Sequence, residues 1–295
     1  MKRAAIIIEV VAVLGMCAWS FGQSTNKPAT GQAAQTGQTA PAAGQAAAPA
    51  GKRAPAAKTQ PEFEAYKAAI ALADPAAVEK AAGDFATKFP DSELRVMIYK
   101  TAMQDYQQAN NADKMLEMAE KALTFDADDP EALVGIAQVI AERTRDTDLD
   151  RDQRVAEAKK DAERSLVTID TDIPTSGYPP EKLAAYKGFL QSEAYAVLGK
   201  LACDAKSWPE AETDLRKSIE ALPQSPDSIA VLRLAVALDM QNKLPEAIKY
   251  ADQAVDLTKD RPDSGVGKAA REEKDRLTKL SSGTAPGQSA APPKN

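Results

Sequence analysis

A fixed spacing of apolar and small residues recurs three times along this chain. In each copy a large apolar residue is followed three, four, seven, sixteen and twenty positions later by an apolar or small residue. Offsets of three, four and seven place side chains on one face of an α-helix, so the first part of each copy predicts an amphipathic helix. A second helix follows, and in the central copy it begins near Pro209, because proline is favoured in a first helical turn. The three copies are Tyr99, Ala102, Met103, Tyr106, Met115 and Ala119; Tyr195, Leu198, Gly199, Ala202, Ala211 and Leu215; and Val231, Leu234, Ala235, Leu238, Ala247 and Ala251.

The central copy shares further features with a known repeat. It opens with bulky Tyr195, continues with Leu198-Gly199, and ends at Pro223. Small residues such as Gly199 and Ala211 allow its two helices to approach closely. This order resembles the tetratricopeptide repeat. A single hairpin of this kind cannot bury its apolar face, so the resemblance implies stacked neighbours in an all-α, right-handed solenoid of about five helix pairs. The alternative is a closed helical bundle.

The residue inventory argues against most enzyme chemistry. The 295 residues include no histidine, which removes the commonest general base and metal ligand. Two cysteines, Cys17 and Cys203, are too few for a disulfide framework or a zinc cluster. The sequence has no glycine-rich phosphate loop and no nucleophile elbow. We therefore expect a non-enzymatic protein without a cofactor; an enzyme with an unrecognised site is the alternative.

The first 22 residues have the pattern of a secretory signal peptide. Lys2-Arg3 precedes an apolar run from Ala4 to Trp19, and Ser20-Phe21-Gly22 offers small residues before a cut that would leave Gln23 at the N-terminus. The run is short for a transmembrane helix. We therefore expect export to a periplasm or secretion. The alternative is an uncleaved segment that tethers the protein to the membrane.

Two stretches lack the residues that build a core. Residues 23–60 and 281–295 are dominated by small and polar residues and proline, so we expect disordered arms. Residues 24–60 carry a charge of plus four and the signal plus one, so the remainder must carry minus eleven to reach the total of minus six. A soluble tether is the simplest interpretation of the first arm. A basic arm on an acidic body also predicts attraction to anionic envelope polymers.

Residues 61–280 form the predicted repeat domain. Its last helix, Val266–Leu280, interleaves acidic and basic residues in nearly equal number. Such a polar surface suits a cap that closes the end of a solenoid against water. The same mixture argues against a nucleic-acid-binding helix, so we expect no nucleic-acid partner.

An Asp-rich stretch interrupts the repeat before the sixth predicted helix. Asp146, Asp148, Asp150 and Glu157 share part of the spacing of a calcium-binding EF-hand loop. The comparison fails at Arg151, where that loop needs glycine for its sharp turn. We expect a solvated turn in which Asp150 caps the next helix, and no metal site.

A second interruption covers residues 171–180, where prolines and a glycine prevent helix formation. The helix that follows is expected to start near Glu181 and to continue into the copy that opens at Tyr195. Inserted loops in repeat proteins often bind partners, and Tyr178 is the residue here best suited to recognition. A passive connector is the simpler interpretation.

In proteins that resemble this repeat, partners lie in a concave groove lined by the first helix of each pair. Phe89-Pro90-Asp91-Ser92 also resembles repeat ends of bacterial envelope proteins of the outer-membrane assembly and Tol-associated type. We therefore expect an envelope adaptor that binds a protein or peptide; self-association into a homo-oligomer is the alternative, and a merely solvated helix face is another. The candidate partner-binding residues are Lys100, Gln104, Gln138, Lys200 and Arg233.

Overall fold

The computed structural model describes residues 52–175 and 178–283, so the predicted signal peptide lies outside the described residues. The described ranges contain eleven α-helices and no β-strand. No helix within them combines the length and the apolar character needed to cross a membrane. In chain order the helices are α1 (Gln60–Ile70), α2 (Pro75–Lys88), α3 (Arg95–Gln108), α4 (Ala112–Leu123), α5 (Pro130–Arg143), α6 (Arg151–Thr171), α7 (Pro180–Asp204), α8 (Trp208–Ala221), α9 (Ser228–Asp239), α10 (Leu244–Leu257) and α11 (Gly265–Ser281).

Short polar residues and prolines determine where many of these helices begin. Asp74 accepts a hydrogen bond from the backbone N–H of Ala77 at 2.9 Å, and Asp227 accepts one from Ala230 at 3.2 Å. Such caps satisfy first-turn donors that have no partner within the helix. Proline lies in the opening positions of α1, α2, α5, α7, α8 and α10, where its fixed φ suits a helix start.

Consecutive helices pack in pairs to form five hairpins and a terminal cap. The hairpins are α1–α2, α3–α4, α5–α6, α7–α8 and α9–α10, and α11 packs against both helices of the last one. Each hairpin also contacts the next one along the chain. Apolar faces are therefore buried between neighbours, as stacking requires. The predicted all-α solenoid of about five helix pairs with a C-terminal cap is confirmed.

Two glycines allow the helices of the fourth hairpin to approach closely. A Cβ atom at Gly199 would lie 2.6 Å from Cγ of Leu215, and one at Gly188 would lie 2.5 Å from the carbonyl oxygen of Ala221. Non-bonded carbon atoms prefer separations of about 3.5–4.0 Å, so an alanine at either position would force α8 away from α7. The close approach predicted at Gly199 is confirmed.

Longer helices accommodate both interruptions of the repeat. α6 has 21 residues and α7 has 25, whereas α5 has 14. The unbroken course of α7 confirms the extended first helix expected in the fourth hairpin. One detail of the Asp-rich turn was predicted wrongly. Asp150 occupies the N-cap position of α6, but its backbone is not extended (φ −100°, ψ 14°) and its side chain makes no capping hydrogen bond.

The connector between α6 and α7 is anchored in an apolar cluster. Ile173 is buried there against Tyr186 and Phe189, and half-buried Tyr178 packs against the same group. This packing supports the connector interpretation of the second interruption. Recognition of a partner by Tyr178 stays a prediction.

A short segment ahead of the first helix lies against the repeat domain. Residues 52–58, expected as part of a disordered linker, form a non-helical segment that lies against the turns between hairpins. We call this segment the strap. Lys52 and Arg53 bind carboxylates of the acidic repeat domain and Lys58 binds a backbone carbonyl oxygen, which explains why a stretch without core-forming residues is held in place. Residues 52–58 therefore lie against the repeat domain, and the domain boundary at residue 61 stays a prediction.

Candidate functional site

The five predicted partner-binding residues lie on the first helices of four successive hairpins. Lys100 and Gln104 are on α3, Gln138 is on α5, Lys200 is on α7 and Arg233 is on α9. The fold places them in three different environments: a buried cluster, a paired stretch of helix surface and an open groove.

Lys100 and Gln104 belong to a buried ionic cluster, which comprises Lys100, Gln104, Asp129, Glu131 and Tyr186. Lys100 Nζ lies 2.8 Å from Asp129 Oδ2 and 2.9 Å from Glu131 Oε2. Gln104 donates to Glu131 Oε1, and the Tyr186 hydroxyl donates to Glu131 Oε2 at 2.6 Å. The Lys100 side chain is only 11% exposed. The polar groups of Lys100 and Gln104 are therefore engaged within the protein, and partner binding by these two residues stays a prediction.

The start of α5 explains why the buried ionic cluster forms. Asp129 precedes the first proline of α5 and caps the helix, because Oδ1 accepts the backbone N–H groups of Glu131 and Ala132. The positive end of the helix dipole favours both carboxylates at this position. α7 adds Tyr186 from the next hairpin. The cluster therefore joins three consecutive hairpins through polar contacts.

Neighbouring charges fix the protonation states in this cluster. Burial alone would lower the pKa of the Lys100 ammonium, but the charges of Asp129 and Glu131 outweigh it and hold that pKa well above its usual value. Burial would raise the pKa of Glu131, but Lys100, Tyr186 and Gln104 stabilise its charged form and lower the pKa. Burial and the charge of Glu131 raise the pKa of Tyr186 well above its usual value. Burial raises the pKa of Asp129 in spite of the attraction of Lys100. Lys100 and Glu131 are the members whose charged forms the cluster favours, which suits a structural link.

Lys200 and Arg233 are paired on the surface of their helices. Lys200 Nζ donates to Asp204 Oδ2 at 2.7 Å, one turn along the same helix. Arg233 on α9 donates to Glu142 Oε1 on α5 at 2.9 Å, so this pair connects the third and fifth hairpins. Nearby Cys203 is a free, half-buried thiol, and burial raises its pKa to about 11. Little thiolate is present at neutral pH, so the thiol is a poor nucleophile.

Gln138 lines an open groove of about 240 Å³ between the α3–α4 turn and the end of α5. Met115 and Val139 contribute apolar surface to it. Within the described ranges, no side-chain hydrogen bond satisfies the amides of Gln107, Asn110 or Gln138. A side-chain amide carries both a donor and an acceptor, so these groups match the main chain of an extended peptide. We call this site the amide groove; its polar residues are Gln107, Asn110, Asn111 and Gln138.

Sequence spacing predicts Gln138 as a partner-binding residue but none of the other amides in the amide groove. Asn110 has φ +54°, in the left-handed region that asparagine tolerates well, and Asn111 caps α4 by accepting the N–H of Lys114 at 3.2 Å. The Asn-Asn pair is therefore a turn signal that is visible in the sequence. This turn lies at the edge of the amide groove, whereas the repeat register predicts only which face of a helix a residue occupies.

The Asp-rich turn shows how its carboxylates are engaged. Asp146 accepts a hydrogen bond from Arg151 Nε at 3.2 Å. Asp148 accepts the backbone N–H of Arg145 at 2.9 Å and pairs with Arg154 at 3.6 Å. Across the described part of the chain, no group of three or more His, Cys, Asp or Glu side chains is arranged to hold a metal ion. The expected lack of calcium binding stays a prediction for calorimetry.

Five stacked helix hairpins followed by a terminal helix define the fold, with glycines at the close contacts of the fourth hairpin. The fold is tetratricopeptide-like. Solenoids of this kind offer extended surfaces on which other proteins can bind.

Neither a protein-family model nor a curated protein matches the sequence. Among solved structures, YrrB, a TPR protein with an unusual peptide-binding site, is 16% identical with a TM-score of 0.43, covering 70% of this chain and 87% of that chain. MamA MSR-1 C2 is 19% identical with a TM-score of 0.38, covering 65% and 99%. PilW, a widely conserved type IV pilus biogenesis factor, is 15% identical with a TM-score of 0.37, covering 72% and 99%. These TM-scores lie below 0.5, so the fold assignment rests on the hairpins themselves.

Proposed function

We propose that this protein is a non-enzymatic adaptor of the bacterial cell envelope that binds an extended segment of a partner protein in the amide groove. One observation carries the proposal: three side-chain amides line an open groove and form no hydrogen bond within the described residues. Of the five residues predicted from the sequence, Gln138 contributes to this site.

The shape and chemistry of the amide groove fit a short stretch of polypeptide. Its volume of about 240 Å³ is below the range of roughly 300–1,000 Å³ typical of small-molecule clefts. Each residue of an extended chain offers one N–H donor and one C=O acceptor. A side-chain amide can accept a hydrogen bond from the N–H and donate one to the C=O. Met115 and Val139 add apolar contact area for a side chain of the bound segment. Binding of this kind uses few charged groups, so we expect it to depend only weakly on salt.

Site-specific photo-crosslinking of the exported full-length protein in its own cells tests this proposal. A photoreactive residue at Gln107 is expected to form an adduct with a partner protein, which mass spectrometry identifies. The control position is Leu149, which is fully exposed on the Asp-rich turn. Asn110→Gly combined with Gln138→Ala is expected to remove the adduct, because glycine keeps the left-handed φ while both amides are lost.

Each outcome of the crosslinking has a definite meaning. The same adducts from Gln107 and Leu149, or an adduct that survives the double substitution, would show that the amide groove is not the binding surface. An adduct between two copies of this chain would establish the rival interpretation, a self-associating envelope protein.

Location is tested separately by N-terminal sequencing of the mature protein. We expect a new N-terminus at Gln23, because the small residues before it form a cleavage signal. An intact Met1 in the membrane fraction would support the uncleaved membrane tether. Recovery of the intact chain from the cytoplasm would reject an envelope role.

A further inference from the structure

The strap is held at its first residue by two carboxylates from different turns. Lys52 Nζ lies 2.6 Å from Asp126 Oδ2, in the α4–α5 turn, and 3.2 Å from Asp172 Oδ1, after α6. The backbone N–H of Lys52 also donates to the carbonyl oxygen of Thr171 at 3.1 Å. Main-chain and side-chain contacts thus fix the position of this residue together.

The remaining strap contacts are made before α3. Arg53 donates to Glu93 Oε1, and the backbone N–H of Ala56 donates to Glu93 Oε2 at 3.4 Å. Lys58 Nζ donates to the carbonyl oxygen of Asp91 at 2.7 Å. The strap therefore crosses the turns that precede α3, α5 and α7. We call this surface the acidic edge; it comprises Asp91, Glu93, Asp126 and Asp172.

A groove runs between the strap and the acidic edge. It measures about 280 Å³, with Lys52, Arg53 and Pro55 on the strap side. The opposite side includes Glu93 and Phe125. The strap is therefore not packed tightly along its length, and contact is concentrated at its three basic residues.

We propose that the acidic edge is a docking surface for a basic, extended protein segment, and that the strap is its built-in occupant. The segment that fits carries two adjacent cations and a third cation five residues after the second, as Lys52, Arg53 and Lys58 do. The seated strap shows the mode of recognition: ammonium and guanidinium groups bind carboxylates, while main-chain groups bind Glu93 and Thr171. A partner segment with this charge spacing competes with the strap for the same surface.

The strap is attached in a way that permits exchange. The side chains of Lys52 and Arg53 are 38% and 67% exposed, and ion pairs this exposed are weak and screened by salt. Pro55, Ala56 and Ala57 are only half-buried, so no large apolar anchor holds the segment down. The strap belongs to the same chain as the acidic edge, so its effective concentration at that surface is high. This favours its attachment although the individual contacts are weak.

A buried carboxylate at the end of the strap supports the same inference. Glu62 is 3% exposed, and its Oε2 accepts the backbone N–H of Lys58 at 2.6 Å. Its Oε1 is buried and has no hydrogen-bond partner among the described residues. Buried carboxylate oxygens are normally paired, so the strap does not satisfy every acceptor beside it. A competing segment with a further donor here would gain a contact that the strap lacks.

Fluorescence anisotropy with a synthetic peptide that copies residues 50–60 tests the proposal on the full-length protein. The key variant, Lys52→Glu/Arg53→Glu/Lys58→Glu, reverses the charge of the strap so that the acidic edge is vacated. This variant is expected to bind the peptide at least about tenfold more tightly than the wild type, because the wild-type strap competes from within the chain. Circular dichroism checks that all variants keep their helices; Lys52→Gln/Arg53→Gln/Lys58→Gln replaces the key variant if it does not fold.

Matched neutralisations show whether the acidic edge itself binds the peptide. In the strap-reversed chain, Glu93→Gln/Asp126→Asn is expected to weaken binding by at least about tenfold, since two charge-assisted contacts are lost. Asp146→Asn/Asp152→Asn makes the same change in net charge at the exposed Asp-rich turn and is expected to leave binding within about twofold. Equal loss in both double variants would mean that the peptide responds only to the acidity of the whole domain, which would overturn the proposal.

The remaining outcomes are equally decisive. Equal peptide affinity in wild-type and strap-reversed chains would show that the strap occupies no binding surface. If wild-type and strap-reversed chains instead form a mixed dimer in sedimentation, a second copy of this chain is the natural source of the basic segment, and the docking surface is upheld.

Discussion

Lys100 and Lys52 make the same kind of contact in two different regions. Each ammonium contacts two carboxylates: Asp129 and Glu131 at the start of α5 for Lys100, and Asp126 and Asp172 in two different turns for Lys52. The Lys100 side chain is 11% exposed and lies inside the buried ionic cluster, whereas the Lys52 side chain is 38% exposed on the strap. Burial alone therefore decides what each contact does. The first holds hairpins together, and the second is weak enough to be exchanged.

The energetic reason is desolvation. Removing one member of a buried ion pair leaves the other charges without water and without a partner, which costs about 3–5 kcal/mol. An exposed pair is hydrated on both sides, so its loss costs about 0–1 kcal/mol. The two lysines should therefore respond very differently to the same substitution.

The largest effect is expected for Lys100→Ala. It should lower the free energy of unfolding by about 3–5 kcal/mol in urea titrations, because Asp129 and Glu131 remain buried without their cation. Lys200→Ala is the matched control: its side chain is similarly covered, but its partner Asp204 lies on the same helix and is 41% exposed, so the loss should stay below about 1 kcal/mol. Equal losses in the two variants would show that burial does not distinguish these lysines.

An intermediate effect is expected in acid. The pKa of Glu131 is lower in the folded state than in the unfolded state. Its charged form therefore stabilises the fold when the pH is above the pKa of Glu131 in the unfolded chain. This stabilisation is lost as the pH falls through the pKa of Glu131 in the folded protein. On going from pH 6 to pH 3, the free energy of unfolding should therefore fall less in Glu131→Gln than in the wild type. Each unit by which the pKa of Glu131 differs between the folded and unfolded states adds about 1.4 kcal/mol to this difference. Urea titrations at both pH values measure this. An equal or larger acid loss in the glutamine variant would contradict the assigned charge state.

The smallest effect on stability is expected for Lys52→Ala. The free energy of unfolding should fall by no more than about 1 kcal/mol, because both of its ion pairs are partly exposed. Trypsin should nevertheless cut faster after Arg53, since the strap is released. In the wild type, 1 M salt should also speed this cleavage, because the Debye length falls to about 3 Å. Unchanged cleavage in both experiments would mean that contacts other than charge hold the strap.

The helix hairpins could be predicted from the sequence because they depend on local features. Periodic apolar residues define each helix, and small residues such as Gly199 mark the closest helix contacts. The buried ionic cluster depends instead on residues far apart in the chain. The spacing placed Lys100 on one face of α3, but nothing local shows that Asp129 and Tyr186 approach the same point.

The two proposed binding surfaces could be predicted less well for a related reason. The sequence showed a basic arm and an acidic domain, which implies attraction between them, but it did not show which carboxylates line up. Asp91, Asp126 and Asp172 meet the strap only because three separate turns lie on the same side of the stack. Glu142 pairs with Arg233 from two hairpins away, and this contact could not be predicted from helix periodicity either.

The pair between Arg233 and Glu142 also affects how the stack responds to force. A solenoid held only by contacts between neighbours stretches like springs in series, in which each joint yields independently. This ion pair spans the fourth hairpin and acts in parallel with two such joints. Because Glu142 is 51% exposed, the pair is weak and resists only small extensions. Single molecules of the wild type and of Glu142→Gln should therefore differ in stiffness only at small extension.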